Sequence, residues 1–179
     1  MIKTLTFILF VSICSSIHAQ SSNDTLHWHR NKPLAWTDFK GEAIDGVGLA
    51  GEAFCMTLAT WKRPSAFHKV QFTVVPVFDR TKSWANHEIK VDQGLTYFQV
   101  MFNLYEVHAR KLRQDLSSTK FGSDPTSIFQ EKYNSSMTGL TTEFNQFRKD
   151  TKLGTDADAL SLWKLKVEEE LKALEAFVR

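Results

Sequence analysis

Cysteine is nearly absent from this chain: Cys14 and Cys55 are its two in 179 residues. Cys14 lies in an N-terminal stretch that reads as a cleaved leader, so the mature chain keeps one thiol and an intramolecular disulfide is excluded. Charge of one sign is missing too, with 22 basic residues against 20 acidic ones. That balance gives no electrostatic case for nucleic acid or an anionic membrane surface. Proline and glycine are few, four and eight residues, and no linker, repeat or low-complexity tract is present. The longest apolar run, Leu5 to Ile13, is about half of what a spanning helix needs. A Gly-rich phosphate loop and a G-x-S-x-G elbow are both lacking.

The opening segment has the order of a signal peptide: Lys3, the apolar run, then Ile17-His18-Ala19 before Gln20. Cleavage after Ala19 is preferred over lipidation of Cys14, because Ile13 is bulky for such a site. Residues 20–179 then form one exported domain, periplasmic or extracellular, not inserted in a membrane and held by its apolar core alone.

Gln20 to Asp24 reads as loose. Pro33-Leu34-Ala35-Trp36-Thr37-Asp38-Phe39-Lys40-Gly41 alternates large apolar and polar residues, and Gly41 to Gly51 reads as a loop. Ala53 to Trp61 and Val70 to Phe78 are β-rich, separated by Lys62-Arg63-Pro64-Ser65. Pro76 implies an edge or strand-end position. After Trp84 the period changes to between three and four. Leu95, Phe98, Phe102, Tyr105, Ala109, Leu112 and Leu116 form one helical stripe, with Tyr97, Met101, Leu104 and His108 beside it, predicting a buried central helix. The basic run from His108 to Arg113 is expected to close that helix at the negative end of its dipole.

Asp124-Pro125 predicts the start of a second helix, faced by Phe129, Tyr133, Met137, Leu140, Phe144 and Phe147. Thr155 with Asp158 resembles a capping box for a third, faced by Leu160, Trp163, Val167, Leu171, Leu174 and Val178. The predicted class is α+β: an N-terminal antiparallel β-sheet followed by three α-helices.

Three motifs, Pro33 to Gly41, Phe78-Asp79-Arg80-Thr81-Lys82-Ser83-Trp84, and Ala109-Arg110-Lys111-Leu112-Arg113, occur in an order that resembles the bacterial secreted, predicted zinc-peptidase family known as domain of unknown function 922. The resemblance covers nearly all of the mature chain and implies a zincin-like central helix. Family members with an intact site carry H-E-x-x-H on that helix and a further histidine in a distal T-x-H-G turn. Counting back from Ala109 places the first histidine at Tyr97, the glutamate at Phe98 and the second histidine at Met101. The distal motif falls at Thr151-Lys152-Leu153-Gly154, with Leu153 at the histidine position.

The resemblance thus implies a degenerate member. Two imidazoles at i and i+4 hold Zn²⁺, and the glutamate takes a proton from the metal-bound water. A phenol, a phenyl ring, a thioether and an isobutyl group supply neither function. Neither zinc nor another cofactor is expected, and the four replacements are expected to fill the former metal cavity. Any residual cleft would involve Tyr97, Phe98, Met101 and Leu153.

Other polar residues offer weaker chemistry. His87-Glu88 begins like H-E-x-x-H, but Val91 stands at the fifth position and Asp92 is out of phase; a polar loop is the preferred reading. His27 and His29 lack a third ligand near them, and His68 reads as a surface residue. His108 suits a hydrogen-bonded core or boundary position. Cys55 reads as a small core residue, and Glu168 to Glu170 as a solvated helix face. Asn23 and Asn134 begin glycosylation sequons, relevant only in a glycosylating cell.

The reading that follows is a non-catalytic exported relative of a metallopeptidase, kept as a binding or structural module for a peptide or protein partner. Two alternatives stay open. One is an active zinc-dependent hydrolase with a shifted or non-standard metal site. The other is a carrier of a small apolar ligand in a pocket lined by Phe98, Met101 and Phe102.

Overall fold

Three strands precede three helices in the computed structural model, which describes residues 24–43, 50–65 and 68–179. The expected leader with Cys14, the residues 20–23 with the Asn23 sequon, and positions 44–49 of the glycine loop lie outside the described residues. The α+β class predicted from the change of period is the class observed. Among the described residues no helix is long and apolar enough to cross a membrane.

Strands β1 (Thr25–His27), β2 (Gly51–Lys62) and β3 (Gln71–Ala85) pair antiparallel in the order β1-β3-β2. Pro76 therefore sits inside the central strand, not at an edge or an end as its lack of an N–H implies. Its carbonyl accepts from the Trp28 N–H at 3.1 Å. In a strand the N–H and C=O of one residue face the same neighbour, so the missing donor falls on the β1 side. There β1 ends at His27, opposite Val77, and the ladder stops where proline cannot extend it.

β3 also runs past the expected end at Phe78, through an irregularity. Phe54 pairs with Asp79 but Glu52 with Trp84, so residues 80–83 bulge out of register. Asp79 Oδ1 accepts from the Thr81 N–H, the Thr81 hydroxyl and the Lys82 N–H at 3.1, 2.8 and 3.1 Å. The Ser83 hydroxyl donates to the Asp79 carbonyl at 2.6 Å and accepts from the Phe54 N–H at 2.9 Å. The segment from Pro33 to Gly41 docks on this bulge. Asp38 and Asp24 both pair with Arg80, and the Gly41 N–H donates to the Ser83 carbonyl at 2.8 Å. A Cβ on Gly41 would lie 2.9 Å from the carbonyl oxygens of Thr81 and Ser83, so the approach requires glycine.

The helices are α1 (Asp92–Ser118), α2 (Pro125–Asp150) and α3 (Ala157–Ala173). α1 packs against β3, α2 and α3, which makes it the central element. Both of its predicted stripes lie inward, with Leu95 and Tyr105 partly buried and the rest buried. The helix continues to Ser118 without a basic residue in its last turn, which corrects the expectation that His108 to Arg113 closes it. Asp124 caps α2 as predicted, accepting from the Ser127 N–H at 3.1 Å. The cap of α3 is Asp156, bonded to the Ala159 N–H at 3.2 Å, and not Thr155. α3 ends at Ala173 before a short 3-10 turn at Glu175–Phe177, leaving Val178 exposed rather than on its buried side.

Candidate functional site

The first half of α1 sends its side chains two ways. Phe98 points toward the sheet layer, where its ring centroid lies 5.0 Å from Phe39 and 6.2 Å from Trp36. Tyr97 points between the other helices and stacks on Phe147 at 4.9 Å, with Phe147 in turn 5.5 Å from Trp163. Tyr97, Phe98 and Met101 are 8, 4 and 4 % exposed. These three are core side chains and form no open cleft. Phe102, at 3 % exposed, is equally sealed, so the pocket that an apolar-ligand carrier needs at Phe98, Met101 and Phe102 is not there. Burial raises the Tyr97 hydroxyl above its ordinary pKa, against a smaller opposing effect of Arg148.

The distal turn sits on this layer. A Cβ on Gly154 would fall 2.8 Å from Tyr97 Cγ, so the glycine lies flat against the ring. The Gln93 amide, in the first turn of α1, donates to the Gly154 and Thr155 carbonyls at 2.8 and 3.2 Å. Thr151 is fully buried, its hydroxyl donating to the Phe147 carbonyl at 2.7 Å. Lys152, Leu153 and Gly154 are consecutively left-handed, with φ of 47, 59 and 89°.

Leu153 does not join the other three residues. Its side chain is half exposed and borders a shallow depression with Asn145, Arg148, Lys149 and Lys152. The four positions therefore do not close on one space: Tyr97, Phe98 and Met101 are buried, the first two on different sides of α1, and Leu153 lies outside. A zinc ion does not fit these residues: the turn meets α1 through Gly154, the Tyr97 ring and the Gln93 amide, and among the described residues no group of three His, Cys, Asp or Glu side chains converges there.

The remaining candidates are dispersed. His87 and Glu88 lie in a 3-10 turn ahead of α1, and Asp92 begins the helix. His27 and His29 are exposed on and after β1, and His68 is exposed beside the Ser65 hydroxyl at 2.6 Å. His108 is buried and bonds Glu143 of α2 at 2.9 Å. Glu143 also receives Lys166, and its pKa falls to about 2, chiefly through the His108 hydrogen bond, with burial opposing. Cys55 is partly buried, and desolvation pushes its thiol far above the ordinary value, so it is no ready nucleophile. Glu168 and Glu169 are exposed, and Glu170 pairs with Lys111 at 2.6 Å. Among the described residues no group of three His, Cys, Asp or Glu side chains is placed to hold a metal.

One polar constellation is missed by the sequence reading. Glu106, Arg110 and Arg113 are 2, 0 and 9 % exposed. Glu106 accepts from Arg110 Nε at 2.8 Å and from both terminal nitrogens of Arg113 at 3.0 and 3.1 Å. Arg113 also donates to the Val74 carbonyl of β3 and the Phe177 carbonyl, while Arg110 reaches the Leu171 carbonyl at 2.6 Å and lies over the Trp28 ring. The cluster joins the central helix to the sheet and to the C-terminal turn. Its i, i+4, i+7 spacing is visible in the sequence, but the same spacing fits a solvated salt-bridge face. The backbone acceptors that justify burial come from three other elements.

No family model, no curated protein and no solved structure matches this chain.

Proposed function

We propose that this protein is an exported, non-catalytic relative of the secreted zinc-peptidase family, retained as a binding or structural module. The observation that carries the reading is the division of labour among the aligned residues. Each motif behind the resemblance is a joint of the scaffold: Pro33 to Gly41 docks on Arg80 and Ser83, Asp79 and Ser83 build the bulge, and Arg110 with Arg113 ties α1 to its neighbours. The helix positions aligned with two ligands and the general base hold Tyr97, Phe98 and Met101 in an aromatic core. Replacing ligands by apolar groups removes the desolvation cost of polar side chains with no metal between them. The turn aligned with the third ligand has a left-handed backbone and rests on Tyr97.

Metal analysis of the purified chain tests this. The expected result is zinc well below one equivalent, no peptide hydrolysis, and a melting midpoint unmoved by a chelator. Zinc near one equivalent, or a large fall of the midpoint with chelator, would overturn it in favour of a shifted metal site.

A further inference from the structure

Strand β2 is twelve residues long and has no partner on its second edge among the described residues. Its backbone polarity follows from Pro76. Because the Pro76 carbonyl faces β1, Thr57 opposite it turns its own N–H and C=O away from β3. By alternation Cys55, Ala59 and Trp61 do the same. The one hydrogen bond to this edge among the described residues comes from the Tyr133 hydroxyl to the Thr57 carbonyl at 3.2 Å. Thr57 is 6 % exposed, and its carbonyl oxygen keeps a second lone pair, the acceptor that a partner N–H would use. Such an edge is a template for another strand.

The side chains select the partner. Glu52, Phe54, Leu58, Thr60 and Lys62 are exposed on one face of β2, with Phe54 38 % and Leu58 49 % exposed. Two copies related by a twofold axis at Thr57 place Glu52 of each opposite Lys62 of the other. The same register sets Met56 against Leu58, Phe54 against Thr60, and on the inner face small Ala53 against large Trp61. A register moved so that the axis lies at Met56 puts Glu52 against Thr60. One with the axis at Leu58 puts Lys62 against Phe54. Only the axis at Thr57 forms both ion pairs and keeps the apolar centre together.

We propose that the protein self-associates through β2, pairing antiparallel about Thr57 into a continuous six-stranded sheet across two copies. The proposal is independent of the peptidase kinship. Sedimentation equilibrium of the purified chain, and of its Glu52→Lys and Lys62→Glu variants, tests it. Each reversal sets two like-charge pairs across the twofold axis and should weaken the dimer by about tenfold or more. An equimolar mixture of the two variants should recover the parental affinity, because in the mixed dimer each lysine of one chain faces a glutamate of the other at both pairs. The double variant should recover it as well. A parent that stays monomeric up to about 1 mM, too weak for any specific interface, overturns the proposal. So does a dimer indifferent to the reversals, or one that mixing fails to restore.

Discussion

Tyr97 and Phe147 stack with ring centroids 4.9 Å apart and planes 18° from parallel. The pair closes the space between α1 and α2 where the resemblance places the first zinc ligand, and Phe98 closes the sheet side one residue later. Truncating either ring leaves a cavity between elements that cannot collapse independently. Phe98→Ala and Tyr97→Ala should each cost about 3–5 kcal/mol, read from urea titration. A cost under about 1 kcal/mol would mean that the rings line an accessible cleft.

Leu153 is held at φ 59° with its side chain half in solvent. A left-handed non-glycine residue costs about 1–2 kcal/mol, and Leu153→Gly removes that cost while adding freedom to the unfolded chain. The net expectation is a gain of roughly 0.5–1 kcal/mol in a urea titration. By contrast Gly154→Ala should destabilise, since its Cβ meets the Tyr97 ring at 2.8 Å. If Leu153→Gly destabilises, the side chain makes a contribution that its exposure conceals.

Glu106 neutralises two arginines in the interior. In Glu106→Gln the shape survives, but Arg110 and Arg113 lose their common counter-charge, and a loss of about 3–5 kcal/mol is expected. Hydrogen exchange should show the effect first at Leu171 to Phe177, because that segment is fastened through the Arg110 and Arg113 guanidiniums. Unchanged protection there would mean that packing alone holds the C-terminal turn.

Glu143 links α2 to His108 and Lys111 of α1 and to Lys166 of α3. Its folded pKa lies at about 2, below the usual 4.5, through the His108 hydrogen bond first, opposed by burial and aided by Lys166 and Lys111. A depressed carboxyl pKa stabilises the folded state above the unfolded value, and this contribution disappears as pH falls from about 4.5 to about 2. The parent should therefore lose more of its melting temperature across that window than Glu143→Gln. Equal losses would show that the carboxylate does not favour the folded state.

The fold is legible in the sequence where one face of an element carries the signal. The stripe from Leu95 to Leu116 and the Asp124-Pro125 cap are local patterns with local causes. Pro76 is misplaced by a local reading because its tolerance depends on where β1 stops, which no property of β3 reveals. Arg110 and Arg113 read as helix-end charges because their acceptors, the carbonyls of Val74, Leu171 and Phe177, lie up to 64 residues away. For the candidate site, burial of Tyr97, Phe98 and Met101 follows from the period. The outward aim of Leu153 does not, since it depends on three successive left-handed residues of which only Gly154 announces itself.

Rebuilding the ligand set tests the register on which the functional reading depends. The variant Tyr97→His, Phe98→Glu, Met101→His, Leu153→His places two imidazoles at i and i+4 and a third on the turn that already rests against position 97. Positions 97 and 101 share a face of α1, and Gln93 holds the turn to the start of that helix. The Leu153 side chain faces solvent, so the imidazole introduced there must turn inward, and binding should be weaker than in a preformed site. Zinc uptake of one equivalent by calorimetry is expected, four-coordinate with water as the last ligand. Without metal the variant should melt below the parent, because polar ligands replace the Tyr97–Phe147 stack. Absence of zinc uptake by a variant shown to be folded means that the helix or the turn has been aligned wrongly. The kinship with a zinc peptidase then loses its main support, while the packing around Phe98 and the Glu106 cluster stands unchanged.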